Sequence, residues 1–308
     1  MTVRVVLVGA GRWARNIARV LSSIEEADFC GVVDIRFDAA KELASIYGVK
    51  PFNRLSEAIS ICKPEAGLVA VTPSNLPLVS RELIKSGVHV FVEKPVALSA
   101  REAEVLKKDA KEAGVIVVPG FIMRFNPVVM WLKKHVSFKK LAEAFFYRLS
   151  RRPPRLRSTP IVFDLAIHDI DTALWFFNEL KPLQAVLVET YLDEGFYATF
   201  QASSVIVNMS VSGFSPIKYR LVRLVSEDYL LEANTDTLEV SQRLSWGSSV
   251  RLKVEGEEPL RAEIRTFLAR VDGSSTGYEW VQPSLDDAIR ALKLVEMSLA
   301  TAKKVMVS

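Results

Sequence analysis

Two cysteines, three histidines and eleven side-chain amides (seven Asn, four Gln) are all that 308 residues contain of these types. Cys30 and Cys62 lie far apart with no ligand-like spacing, so the sequence indicates neither a zinc site nor a disulfide framework, and no metal is expected. Reduced, cytoplasmic surroundings follow as the expectation. Scarce amides are a trait of thermophilic proteins. No run approaches the ~18–20 apolar residues needed to cross a membrane, and Val3–Val8 reads as a short strand, not as a secretory signal. Neither sign of charge dominates: 40 basic against 36 acidic residues leave a net +4, too even to argue for nucleic acid. Internal repeats and low-complexity segments are absent. What is present is an apolar fraction of 49%, enough for one large or two ordinary domains whose cores need no staples.

The richest stretch is the first. Val3-Arg4-Val5-Val6-Leu7-Val8 runs into Gly9-Ala10-Gly11-Arg12-Trp13-Ala14, and a helical pattern continues through Ile17, Val20 and Leu21. A buried strand, a tight turn and a helix start in that order suit a dinucleotide. The glycines let backbone approach a pyrophosphate, and the helix start offers free N–H groups and positive dipole. Ala14 is small enough for close helix–strand packing. Taken alone, the pattern also fits a glycine turn in any α/β protein. A second strand, Phe29–Val33, ends on Asp34, which follows Gly9 by 25 residues, near the usual ~20. An acid there accepts hydrogen bonds from ribose hydroxyls; the alternative is a cap for the helix near Phe37. Arg36 could reach a 2′-phosphate, so NADP stays open beside NAD.

Helices and strands alternate onward to Val118, with a turn at Thr72-Pro73-Ser74-Asn75 and a strand delivering Glu93-Lys94-Pro95. Alternation predicts a doubly wound parallel sheet. From about Phe121 the pattern changes: a helix near Asn126–His135, a strand Glu143–Leu149, a basic run Arg151–Ser158, and a helix across Asp164–Phe177. Consecutive strands with short connections follow from Ala185 to Glu255, then helices Pro259–Val271 and Pro283–Lys303. The expected fold class is therefore α/β over residues 1–121, followed over 122–308 by an α+β domain with a large, mostly antiparallel open sheet. The last helix is expected to pack back on the first domain.

Two places carry chemistry. Lys94 sits at the carboxyl end of a parallel strand, where open α/β sheets bind ligands, and an ammonium there could stabilise a developing alkoxide. The plainer reading is a strand-ending ion pair and a proline turn. Asp164 and His168 are four apart, so on a helix they share a face. Imidazole, with an unperturbed pKa near ~6.5, suits the proton of an alcohol, and a carboxylate can orient it. The plainer reading is a partly buried His–Asp pair, with Asp169 and Asp171 as capping or surface acids.

Together these motifs resemble the Gfo/Idh/MocA oxidoreductases: Gly9-x-Gly11, Glu93-Lys94-Pro95, Arg124-Phe125-Asn126-Pro127, and Asp164-x-x-x-His168-Asp169. The resemblance implies a Rossmann domain holding NAD or NADP and a second domain whose open sheet forms the contact of a homodimer or homotetramer. It implies catalytic roles for Lys94, Asp164 and His168. The cofactor would meet Gly9, Gly11, Arg12, Trp13, Ala14, Asp34, Arg36, Thr72, Pro73, Asn75, Glu93 and Lys94. The substrate would meet Lys94, Arg124, Asn126, Arg155, Asp164 and His168, and the Lys94–Pro95 bond would often be cis. Departures are Ser74 and Pro77 where the family usually has Asn and His, and Ala14 and Ala166 in place of glycines.

Arg12-Trp13-Ala14-Arg15-Asn16 and the run Arg151-Arg152-Pro153-Pro154-Arg155-Leu156-Arg157 resemble the sugar-nucleotide branch, UDP-N-acetylglucosamine 3-dehydrogenase-like members. Arginine forks suit phosphate, although the same run also reads as a solvated loop or subunit contact. The expected activity is hydride transfer between nicotinamide and a secondary hydroxyl or ketone of a sugar or sugar nucleotide, with C3 of a UDP-sugar foremost. The alternatives are an inositol or free-sugar dehydrogenase, an imine or biliverdin-type reductase, and a non-catalytic NAD(P)-binding protein.

Overall fold

The computed structural model describes residues 2–307. In chain order the first elements are β1 (Val3–Val8), α1 (Arg12–Leu21), β2 (Ala27–Val33), α2 (Phe37–Tyr47), β3 (Lys50–Phe52), α3 (Leu55–Cys62), β4 (Ala66–Val69), α4 (Leu76–Lys85), β5 (His89–Glu93), α5 (Ala100–Ala113) and β6 (Val117–Gly120). Then come α6 (Pro127–His135), β7 (Leu141–Arg151), a π-turn at Val162–Ala166, and α7 (Ile167–Phe177). Strands β8 (Lys181–Thr190), β9 (Glu194–Ala202), β10 (Val205–Ser212), β11 (Phe214–Ser226), β12 (Tyr229–Asn234), β13 (Glu239–Leu244) and β14 (Ser249–Lys253) follow, and α8 (Pro259–Asp272), α9 (Leu285–Thr301) and β15 (Lys303–Val307) end the chain. Two compact units emerge. One runs from the N-terminus to Phe125 and takes in Glu258–Ile289; the other comprises Asn126–Glu257 and the chain from Arg290 onward.

In the first unit six parallel strands lie in the order β3-β2-β1-β4-β5-β6, the doubly wound arrangement. Its strands are apolar on both faces because helices cover both: Val5, Val6 and Leu7 of β1 are wholly buried. Helix α1 presents Ala14, Ile17, Ala18 and Leu21 to that sheet at the spacing of one helical face. Helix α8 joins the same core through Leu260, Ile264, Phe267 and Leu268, with the Phe267 and Phe91 rings 5.8 Å apart. Each such side chain, fully buried, contributes roughly 1.5–3 kcal/mol. That is why a helix more than 130 residues downstream of β6 belongs to this unit.

The expectation of unpaired cysteines is corrected. Cys30 and Cys62 form a disulfide, with Cα atoms 6.0 Å apart, and no free cysteine remains. Cys30 is the extra residue of a β-bulge, because Val5 pairs with Phe29 while Val6 already pairs with Gly31. Cys62 ends α3. The bond spans 32 residues and stabilises through the unfolded chain by about 4 kcal/mol on the entropic account. Sequence separation hid it, since the two positions meet only through sheet topology.

The second unit holds a nine-stranded mixed sheet, β14-β13-β12-β11-β7-β10-β9-β8-β15, antiparallel except for the β7–β10 and β8–β15 pairs. One face is packed: Ala144 and Phe146 of β7, Val207 and Met209 of β10, and Phe196 and Phe200 of β9 are buried, and Phe176 of α7 lies against Phe146. The other face carries half-buried aromatics, including Phe145 and Tyr147, whose rings stack 6.3 Å apart. Strands β3 and β15 were not expected from sequence. The first is three residues long and contains a proline, and the second reads as the tail of a long helix.

Candidate functional site

In the first unit the ligand-competent residues gather at the carboxyl edge of the parallel sheet. The turn after β1 is forced. Gly9 has φ of 109°, and a Cβ there would stand 2.3 Å from the Ala70 carbonyl oxygen. No L side chain fits. At Gly11 a Cβ would meet nothing within 4 Å, so the turn leaves open space where the backbone faces outward. Gly11 is also the N-cap of α1, with no side-chain cap and no acid in the first turn. By contrast, Ser99 closes the start of α5 by accepting from the Glu102 N–H. The uncapped N–H groups and dipole of α1 therefore remain available to an anion.

Asp34 follows β2 and is tied to the same turn. Its Oδ2 accepts from the Ala10 N–H at 2.8 Å and its Oδ1 from the Arg36 N–H at 2.9 Å. The Arg36 side chain is largely exposed, with Nε 3.5 Å from Asp34. The carboxylate is thus held in place, with lone pairs to spare for a ribose hydroxyl. After β4, Asn75 donates to the Thr72 hydroxyl at 2.9 Å within the turn Pro73–Asn75, and both residues are exposed. Arg12 is exposed and Ala14 wholly buried.

Sequence reasoning missed the contact that joins two of these segments. The Trp13 indole N–H donates to Glu93 Oε1, clamping the first turn of α1 onto the end of β5. Glu93 Oε2 also accepts from the Lys94 N–H at 3.2 Å. Burial raises the Glu93 carboxyl to about 7; the Trp13 hydrogen bond and the neighbouring Lys94 charge pull the other way but do not overcome it. Lys94 is half-buried, and the Lys94–Pro95 bond is cis. Arg124 is buried and paired with Asp287 at 3.2 Å. Burial alone would raise the Asp287 carboxyl, yet Arg124 and the bonds from Ser284 hold it below the usual carboxylate range.

The second unit holds the other chemical pair. Asp164 lies on the π-turn and His168 on the first turn of α7. The expected helix across Asp164–Phe177 is therefore π at its start, a departure that recurs at functional sites. His168 is 9% exposed, and its carbonyl accepts from Thr172 Oγ1 at 2.8 Å. Arginines anchor this helix from the sheet. Arg148 of β7 makes a bidentate pair with Asp169 at 2.7 and 2.8 Å. Arg152 binds both oxygens of Asp193, donates to the Thr159 carbonyl at 2.7 Å, and lies 3.5 Å from Asp164. Burial would lower its pKa, but Asp193, Asp164 and Glu194 raise it.

Two expectations change accordingly. Asp169 and Asp171, expected at caps or the surface, are buried at 6% and 1% exposure. The basic run does not act as one unit: Arg152 is a buried tie, while Arg155 sits exposed on a 3-10 turn without an ion pair among the described residues. Asn126 caps α6 by accepting from the Val128 N–H, and its amide donates to the Thr235 carbonyl at 3.0 Å. Both ends of that side chain are engaged in the fold. No cluster of three or more His, Cys, Asp or Glu among the described residues could hold a metal.

Residues 3–121 match the family described as the GFO/IDH/MocA oxidoreductases, NAD-binding Rossmann fold. Over that stretch the chain is similar to the Gfo/Idh/MocA oxidoreductases. Inositol 2-dehydrogenase of Rhizobium meliloti is 26% identical over 86% of this chain and 79% of its own length. UDP-N-acetylglucosamine 3-dehydrogenase of Acidithiobacillus ferrooxidans has a solved structure that superposes with a TM-score of 0.86 at 21% identity, covering 98% of both chains. A 3-ketoreductase from Actinomadura kijaniata, solved with NADP, gives 0.86 at 18% identity over 100% of both. The likeness of fold to these two structures thus extends through the mixed sheet. The residues fit the dinucleotide that the family binds: a turn that only glycine can make, an uncapped helix start over open space, and an oriented carboxylate one strand away.

The buried Glu93 generates a prediction. Its folded-state pKa lies above the ordinary 4.5, so native protein holds the extra proton between pH ~4.5 and about 7. Native stability is therefore lost as pH rises through that window, by on the order of 3 kcal/mol from this group. Glu93→Gln keeps an acceptor for Trp13 but removes the titration. Its stability relative to wild type should climb by that amount from pH 4.5 to 7.5 in urea unfolding; parallel profiles would contradict the assignment.

Proposed function

We propose that the protein transfers hydride between a nicotinamide dinucleotide and a secondary hydroxyl or ketone of a sugar or sugar nucleotide. One juxtaposition carries the reading. The glycine turn after β1, Asp34 after β2, Thr72 after β4 and Lys94 after β5 all lie at one edge of a parallel sheet, where such sheets bind dinucleotides. Gly9, Gly11 and the first turn of α1 would receive the pyrophosphate, and Asp34 the adenosine ribose. Bound there, the dinucleotide supplies the hydride acceptor or donor.

The remaining roles fall to the chain's own side chains. Lys94 donates a hydrogen bond to the substrate oxygen and stabilises negative charge as it develops. His168 takes the hydroxyl proton, and returns it when the reaction runs as a reduction. Asp164, on the π-turn before His168, keeps the local field favourable to the imidazolium. Among substrates, a UDP-sugar oxidised at C3 stands first. The supporting points are the Trp13-containing turn and the likeness to a UDP-N-acetylglucosamine 3-dehydrogenase. An inositol is the second reading, supported by the relative that aligns with 86% of the chain.

The half-buried aromatic face of the mixed sheet, centred on Phe145 and Tyr147, is where we place contact between two copies of the chain. Light scattering should give a dimer or tetramer, and a monomer at micromolar concentration would contradict that placement. Disulfides persist in oxidising compartments and in intracellular proteins of hyperthermophiles. The scarce amides fit the second, and on that ground the cytoplasm is the location we propose.

Absorbance of reduced nicotinamide, followed over a panel of UDP-sugars, free sugars and inositols, tests the activity. Lys94→Ala and His168→Ala should each cut kcat ~10²–10⁴-fold, with nucleotide affinity changed only a few-fold. Near-normal turnover in either folded variant would sink the mechanism.

A further inference from the structure

Arg220 of β11 lies opposite Arg148 in the β7–β11 register and therefore shares the packed face of the sheet, the face that receives α7. Its side chain is only 26% exposed. Yet its Nε, shielded from solvent, makes no hydrogen bond. Among the described residues its one ion pair is to Asp236 at 3.9 Å, beyond hydrogen-bond range. Neighbouring arginines differ: Arg148 makes two bonds to Asp169, Arg152 two to Asp193, and Arg223 two to Glu232.

The acids around Arg220 do not supply the missing bond. Asp169 is held by Arg148 at 2.7 Å, Asp236 by Lys218 at 2.8 Å, and Asp164 lies 3.5 Å from Arg152. Each of the three has another cation within ion-pair distance. Desolvation, and then the like charge of Arg148, push the Arg220 guanidinium below its ordinary value, while Asp236, Asp169 and Asp164 act against that. A guanidinium whose shielded Nε lacks an acceptor is costly unless one arrives, and its terminal nitrogens stay open to the same incoming group. Because Arg148, directly opposite Arg220, is tied to Asp169 of α7, the acceptor would arrive beside the first turn of α7, which carries His168.

We propose that Arg220 is a specificity-determining residue that receives an oxyanion, carboxylate or phosphoryl, carried by the substrate. The proposal rests on the dehydrogenase reading for the word substrate, but not for the binding event itself. A planar fork of N–H donors matches either group in a bidentate manner, whereas a neutral hydroxyl offers only one oxygen and no charge. Arg220 adds a subsite distinct from the exposed Arg155.

Calorimetric titration of the NADH-saturated protein tests it with three probes that differ in charge: glucose, glucuronate and glucose 6-phosphate, with UDP-glucose as a fourth. At least one anionic probe should bind ~10–100-fold tighter than glucose, the range of one or two charge-assisted hydrogen bonds. The probe that gains most identifies carboxylate, phosphomonoester or diphosphate as the group received. Arg220→Gln should abolish that preference and leave NADH affinity unchanged. Arg220→Lys, which keeps charge but loses the fork, should restore part of it and covers the case of a Gln variant that does not fold. With a turned-over anionic substrate, Arg220→Gln should raise KM by the same factor with kcat within about threefold. Equal binding of glucose and every anion, or an anion preference that survives in both variants, would overturn the proposal. Binding is read without turnover, so absent catalysis with an Arg220-dependent preference would refute the dehydrogenase reading alone.

Discussion

Everything at the ligand edge of the parallel sheet depends on one close approach, Gly9 against the carbonyl of Ala70. The space for a Cβ is absent by more than an ångström, and the backbone there sits where side chains are strained. This contact lets the turn after β1 fold tightly over β4, which in turn brings the Ala10 N–H to the Asp34 carboxylate. The same turn sets the start of α1, and Trp13 on that start reaches Glu93. One missing methyl thus positions three segments: the acid after β2, the uncapped helix and the strand end that carries Lys94.

A different constraint governs the second unit, where charge is buried in pairs. Arg148 and Arg152 enter the apolar face of a sheet and are compensated in full by Asp169 and Asp193. Removing one member of such a pair leaves an unpaired charge in the interior, so these ties fix where α7 and the π-turn lie. They act as geometry more than as net stability. The contrast with Arg220, on the same face and without a hydrogen bond, is what separates a structural arginine from a binding one.

How legible this was depended on range. The glycine turn, Asp34, the strand ending at Glu93 and the change of pattern near Phe121 are local features, written in spacings of two to four residues, and the structure has them. The Cys30–Cys62 bond, the Trp13–Glu93 clamp and the Arg152–Asp193 pair join residues 32, 80 and 41 positions apart. Periodicity assigns a residue to a face, not to a partner. One signal was present: Arg148 follows Ala144 and Phe146 at alternate positions of a strand, which places a guanidinium in the core and demands a buried acid. The π-turn before His168 had no such marker, since a single added residue per turn leaves the apolar pattern almost unchanged.

The central claim is that the Gly9 turn exists to hold a nicotinamide dinucleotide. Titrating NADH against wild type and Gly9→Ala, with the indole emission quenched on binding as readout, tests it most directly. The account predicts saturable binding by wild type and affinity at least ~100-fold weaker in the variant, well beyond the loss of a single hydrogen bond. Absence of saturable binding, or equal affinity in a folded Gly9→Ala protein, would contradict it.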